Sequence, residues 1–194
     1  MNHKYQIVEE AINTVGEKFT KSPGLILTED DLKCLIFHEL MQSDEFSRIV
    51  RTANPEITGS VLHSEVTWYD EGGDLRYKPD ISIIDAAHLS ILNNLDHNIA
   101  LPTKGFSFEG NAIIIELKFI RDRRVRKRQI LSIMKDIQKI NSLIHLNYAR
   151  GNSNWIRGIV VIFSKYSDNL TSLDMLPQGL QYASNIAIIE CGAL

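Results

Sequence analysis

Two stretches of the chain are almost wholly apolar and rich in β-branched residues: "NAIIIELKFI" at 111–120 and "WIRGIVVIFSK" at 155–165. Such runs suit strands covered on both faces, because a half-exposed strand alternates apolar with polar residues. A sheet built around them needs helices on each side. A loose helical pattern over the first 20 residues (Ile7, Val8, Ala11, Ile12, Val15) is broken by Ser22-Pro23-Gly24. Thr28-Glu29-Asp30-Asp31 then opens a second helix through "LKCLIFHELM", with Thr28 as N-cap and Asp31 closing a capping box. "SVLHSEVTWY" alternates and reads as one strand, "DEGGDLR" as a turn, and "YKPDISIID" as the returning strand of a hairpin. Residues 86–110 read as an insertion, the first half a short helix and Pro102 to Gly110 a loop. After the strand at 112–120, Ile130, Ile133, Met134, Ile137, Ile140 and Ile144 mark a long amphipathic helix. Residues 167–182 read as loop and weak helix, and "NIAIIECG" as a final strand. The expected fold is α/β: a three-layer sandwich with a central mixed β-sheet flanked by helices.

Charges stand inside the first apolar run. Glu116 and Lys118 alternate onto one face of their strand. An unpaired buried charge costs several kcal/mol or neutralises. Either the two side chains pair, or a third partner needs a carboxylate and an ammonium side by side. Asp80 follows Pro79 at the head of the preceding strand. On the second helix, at about 100° per residue, Glu39 falls roughly 20° from Leu32, within the stripe of Leu35, Ile36 and Leu40, so it is expected to face the sheet. His38 falls off that stripe. Three carboxylates and a lysine on converging elements suit a hard divalent cation, which takes oxygen ligands from carboxylates, water and phosphate.

Pro79-Asp80 followed by Glu116-Leu117-Lys118, with a glutamate helix before and an amphipathic helix after, resembles the PD-(D/E)XK nuclease superfamily of restriction-endonuclease-like fold. The resemblance covers about residues 28 to 164. The 86–110 insertion makes the gap between Asp80 and Glu116 longer than in compact members, and the two ends match no part of the pattern. The resemblance implies a metal-dependent endonuclease that hydrolyses phosphodiester bonds, with DNA as the expected substrate. Asp80 and Glu116, helped by the main-chain carbonyl of Leu117, would hold Mg²⁺ or Mn²⁺. Lys118 would support the hydrolytic water, and Glu39 would assist. Small nucleases of this fold are often dimers, so a homodimer is compatible with it.

Net charge is −3 over 194 residues, yet residues 121–128 hold six basic residues against one acid, +5 in all, leaving −8 on the remainder. Alone, such a block reads as a solvated helix start; three residues beyond Lys118, Arg121, Arg123, Arg124, Arg126, Lys127 and Arg128 become candidates to contact phosphates flanking a cut. Two distant cysteines, Cys34 and Cys191, suggest neither a disulfide framework nor a zinc site. With no apolar run near the roughly 18 residues of a membrane span and no signal-like start, the chain is expected in the cytoplasm, as a single domain over 1–194.

Weaker candidates read first as structure. Trp68, Tyr69 and Trp155 are better core or rim residues than base-stacking platforms, lone histidines are better surface residues than ligands, and Glu65 and His63 share a strand face. Gln138, at the margin of the long helix's stripe, could approach the site, although a solvated position is preferred. Two rivals stand beside the nuclease: a weak or inactive nuclease-fold subunit that binds nucleic acid or protein without a metal, and an unrelated α/β interaction protein in which Glu116 and Lys118 simply pair.

Overall fold

The two apolar runs lie side by side, in parallel, within a mixed five-stranded sheet. In the computed structural model, which describes residues 2–69, 74–91, 106–108, 110–149, 155–171 and 185–193, the elements in chain order are α1 (Asn2–Lys21), α2 (Glu29–Leu40), α3 (Asp44–Ser47), β1 (Ile49–Arg51), β2 (Thr58–Ser60), β3 (Leu62–Ser64), β4 (Trp68–Tyr69), β5 (Leu75–Tyr77), β6 (Ile81–Ile84), β7 (Leu89–Ile91), β8 (Phe106–Phe108), β9 (Ala112–Ile120), α4 (Lys127–Ala149), β10 (Ile156–Ser164), α5 (Asp168–Thr171) and β11 (Ile186–Gly192). The main sheet has the order β11-β10-β9-β6-β3. β9, β10 and β11 are parallel, while β6 and β3 run antiparallel to their neighbours.

Helices cover both faces, as runs without alternation require. On one face Val8, Ile12, Val15 and Phe19 of α1 and Leu32, Ile36 and Leu40 of α2 pack on Ile113, Ile115, Leu117, Ile159 and Val161. On the other, Ile133, Ile137, Ile140 and Ile144 of α4 pack on Ile114, Val160 and Ile162. Both ends of the chain take part: α1 forms much of one layer, and β11 extends the sheet. α2 begins as its sequence dictates, with Thr28 accepting from the Asp31 N–H while the Asp31 carboxylate accepts from the Thr28 N–H.

α4 approaches β10 closely at one point. A Cβ built on Gly158 would lie 2.2 Å from Cγ2 of Ile140, a fully buried, β-branched side chain with little freedom to move. Gly158→Ala is therefore expected to destabilise the fold by about 1–3 kcal/mol through overpacking. Urea unfolding would measure it, and the loss in the Gly158→Ala, Ile140→Ala double variant should be smaller than the sum of the two single losses; an unchanged midpoint for Gly158→Ala would contradict this packing.

The expected single hairpin is two separate pairings. β3 pairs with β6 in the main sheet, while β4 and β5 form their own two-stranded ribbon. Both chains break at the same level. Glu65 adopts a left-handed conformation, φ 56°, and Pro79 has no N–H to give to a ladder. The Glu65 N–H donates to the Asp80 carbonyl across the break, at 3.1 Å. Within the 86–110 insertion, a 3-10 turn at Ala86–His88 leads into β7, which pairs antiparallel with β8. A strand thus replaces the expected helix after residue 88, and a second replaces part of the expected loop. Leu89 opposite Phe108 explains this: the partners lie far apart in sequence and no local period shows them. Residues 92–105 and 109 lie outside the described residues, as do 172–184.

Candidate active site

β9 outruns its neighbour. The β6–β9 register ends at Ile81 opposite Ile115, while β9 continues to Ile120. Beyond that point the β6-side edge of β9 has no strand partner in that register, so its main-chain donors need other acceptors. Carboxylates supply them. Oδ2 of Asp80 accepts from the Leu117 N–H at 2.8 Å, and Oε2 of Glu29 accepts from the Phe119 N–H at 3.3 Å. A strand residue directs its N–H and C=O to the same edge, so the Leu117 carbonyl shares the edge on which Asp80 sits.

Glu116 and Lys118 point to the α4 face, as period two requires, and they do not pair with each other. Glu116, only 3% exposed, accepts from Nζ of Lys139 at 2.5 Å. Nζ of Lys118 lies 3.0 Å from Oδ2 of Asp136 and 3.4 Å from Oε1 of Glu29. Lys139 also approaches Asp136, at 3.5 Å. The contact with Lys118 lacks hydrogen-bond geometry, so Oδ2 of Asp136 is buried without a hydrogen bond. The result is a chain of charges between sheet and helix: Lys139 against Glu116 and Asp136, Lys118 against Asp136 and Glu29, and Asp80 alongside.

Burial dominates the electrostatics. It pushes the Glu116 carboxyl up to about 8; Lys139 pulls it down, while Asp136 and Asp80 push it further up. Burial likewise raises Asp80, against the Leu117 N–H and the charges of Lys118, Lys33 and Lys139. For Lys118 burial works downwards, but Asp136, Glu29 and Asp80 outweigh it and leave the ammonium held above its usual range. Beside Asp80 a second charged group braces the strand break: Glu65 accepts from Lys33 at 2.7 Å and pairs with Lys78, and these two lysines hold its carboxyl down to about 2.

The fold thus brings together Asp80, Glu116, Leu117 and Lys118, and it does not bring Glu39 to them. Nζ of Lys18, on α1, sits 2.6 Å from Oε2 of Glu39. The helical angle places Glu39 beside the buried stripe of Leu32, Ile36 and Leu40, but that stripe packs in a core shared by the sheet and α1, and Glu39, half-buried, turns to Lys18 of α1. Glu29, one helical turn upstream of the buried run, meets Lys118 instead. Gln138 is exposed; the α4 side chains in the cluster are Asp136 and Lys139. Glu65 leaves its strand at the break. Trp68 donates to the Ser82 hydroxyl at 3.3 Å and packs edge-on against Phe108, and Trp155 packs against the core, so both are structural. Because Glu39 lies in a surface pair worth at most about 1 kcal/mol, Glu39→Gln should leave both the melting temperature and any cleavage activity near wild type. A large loss of activity on this change would return Glu39 to the site.

Arg121, Arg123, Arg124, Arg126, Lys127 and Arg128 are all exposed, in the loop leaving β9 and the first turn of α4. Arg126 pairs with Asp122 at 3.1 Å. A cleft of about 240 Å³ opens beside Lys118, lined by Glu29, Lys118, Phe119, Gln129 and Ser132 among others; its lining includes the residues on either side of the basic segment in sequence, Ile120 and Gln129, and none of that segment's basic residues themselves.

Among the described residues, no three or more His, Cys, Asp and Glu side chains form a group able to hold a metal by themselves. Asp80 and Glu116 with the Leu117 carbonyl make a smaller set, of the kind Mg²⁺ uses when it keeps waters and substrate oxygens. The charge balance fits such an ion. Four carboxylates (Asp80, Glu116, Asp136 and Glu29) meet two ammonium groups (Lys118 and Lys139); burial raises Asp80 and Glu116, so the excess of two negative charges arises only when both are ionised, the form that a bound cation would favour. Among the described residues no helix is long and apolar enough to cross a membrane. Compared with known proteins, the chain matches no family model, no curated protein and no solved structure.

Proposed function

We propose that the chain is a metal-dependent endonuclease of PD-(D/E)XK type, hydrolysing phosphodiester bonds in nucleic acid, with DNA as the first substrate to test. The observation that carries this reading is the meeting of two desolvated carboxylates, Asp80 and Glu116, with the ammonium of Lys118 at an unpaired strand edge beside an exposed basic loop. Perturbed titratable groups that converge beside a cleft are candidates for chemistry. Bound at Asp80, Glu116 and the Leu117 carbonyl, Mg²⁺ or Mn²⁺ would supply Lewis acidity and a more acidic water.

The protein's own groups have separable tasks. The Leu117 N–H fixes one oxygen of Asp80 and leaves the other, which has no hydrogen-bond partner among the described residues. Lys118 stays protonated, so it acts as a donor and not as a base: it orients the attacking water and offsets negative charge growing on the phosphate. Asp136 and Glu29 hold its ammonium in place. The basic segment 121–128 draws the strand to the cleft by its phosphates.

One observation favours a second reading, an inactive binding subunit on the same fold. Lys139 already satisfies Glu116 at 2.5 Å without any cation. The two readings separate on metal binding and cleavage together. Plasmid and single-stranded DNA are incubated with Mg²⁺ or Mn²⁺ and with EDTA, and Mn²⁺ binding is titrated by calorimetry. Cleavage that needs the metal supports the nuclease; absence of both cleavage and Mn²⁺ binding supports the inactive subunit.

A further inference from the structure

The cleft beside Lys118 contains an anion already in position, and that anion belongs to the protein. Two main-chain donors project from the open edge of β9, Leu117 N–H and Phe119 N–H, and each is met by a carboxylate. The two contacts differ in quality. Asp80 is half-buried and bound at 2.8 Å. Glu29 is 43% exposed in its side chain, and both of its contacts are long: 3.3 Å from the Phe119 N–H and 3.4 Å from Nζ of Lys118. Charge-assisted hydrogen bonds are normally about 2.7–2.9 Å. Lys139 on Glu116, at 2.5 Å, shows that this site forms short ones. Glu29 is thus held loosely by donors suited to a stronger anion.

The surroundings favour one kind of anion. The cleft adds the side chains of Gln129 and Ser132, both able to donate. The exposed basic segment joins two of its lining residues in sequence, Ile120 and Gln129. We infer that Lys118 Nζ and the Phe119 N–H form a binding subsite for a phosphate of the nucleic-acid strand, and that the Glu29 carboxylate occupies this subsite until a phosphate displaces it. A phosphodiester carries one negative charge, like a carboxylate, and accepts from the same donors. The exchange therefore conserves charge at Lys118, and Glu29 swings out to solvent from the first turn of α2.

The inference rests on the nucleic-acid reading for the identity of the strand, but its test needs neither metal nor cleavage. In EDTA at low salt, inorganic phosphate binding is measured by calorimetry and binding of a labelled short single-stranded oligonucleotide by anisotropy. Glu29→Gln should bind both about tenfold more tightly than wild type, since it removes the competing charge and keeps the side-chain shape. The gain should vanish in Glu29→Gln combined with Lys118→Met. Asp30→Asn removes the same charge one residue away, from a side chain that pairs with Lys33 and is 84% exposed, and should change neither affinity. Equal gains for Asp30→Asn and Glu29→Gln would mean a general charge effect and would overturn the subsite. So would a Glu29→Gln protein that binds no more tightly than wild type, or a gain that survives loss of Lys118. Tighter phosphate without tighter oligonucleotide would overturn the strand as the occupant. Loss of the nuclease reading, by contrast, would appear as absent cleavage with these affinities intact.

Discussion

Asp80→Asn and Lys118→Met should each lower metal-dependent cleavage by at least about a hundredfold, the loss that follows removal of one preorganised charge-stabilising group. The two changes act differently. In Asp80→Asn the side-chain amide keeps an oxygen for the Leu117 N–H, so the strand edge stays capped while the charge facing the metal is lost. In Lys118→Met the ammonium is lost, leaving Asp136 with Lys139 alone. Added Mn²⁺ should partly compensate Asp80→Asn if the loss is one of metal affinity, and should not compensate Lys118→Met, whose task is at the water and the phosphate. Rates on plasmid over a range of Mn²⁺, with circular dichroism to verify folding, would show this. Wild-type cleavage by either variant would remove the assignment.

Lys139→Met should destabilise the protein by about 1 kcal/mol at pH 9, because without its partner the buried Glu116 carboxyl must take up a proton that wild type has released above about 8. The penalty should fall as pH is lowered. Burial holds the folded-state Glu116 carboxyl up, to about 8 against an ordinary 4.5. Between these values the folded state binds more protons than the unfolded chain, so this group makes stability decline as pH rises through that window. Without Lys139 the carboxyl rises further and the window extends upwards. Near pH 6 Glu116 is protonated with or without Lys139, and the variant should approach wild type. Adding Glu116→Gln should restore stability at pH 9. Urea midpoints at the two pH values would measure all the proteins; a penalty independent of pH would mean that Lys139 acts through packing and not through Glu116.

Much of the layered architecture was legible in the residues. Unbroken β-branched runs announced strands covered on both faces, the isoleucine spacing announced α4, and Thr28 with Asp31 announced where α2 begins. The strand breaks at Glu65 and Pro79 were not, although Pro79 was a signal, because a left-handed Glu65 is sustained only by its partners across the break. The partners of Glu116 and Lys118 were also hidden. On a helix of about 100° per residue, Asp136 and Gln138 flank Ile137 on opposite sides; which flank meets the end of β9 depends on how α4 lies across the sheet. Lys139 reaches Glu116 from further round the helix by the length of its own side chain.

Local periodicity by itself determined which side chains share a face, and so put Glu116 and Lys118 together, because alternation along a strand is a property of the backbone alone. Only the tertiary structure decided what they meet. It set Lys139 on Glu116, Asp136 and Glu29 on Lys118, and Asp80 on the Leu117 N–H, and it turned Glu39 to Lys18. Each of these contacts joins elements separated in sequence, and their geometry follows from the end of β6 and from the packing of α2 and α4 against opposite faces, which no local pattern encodes.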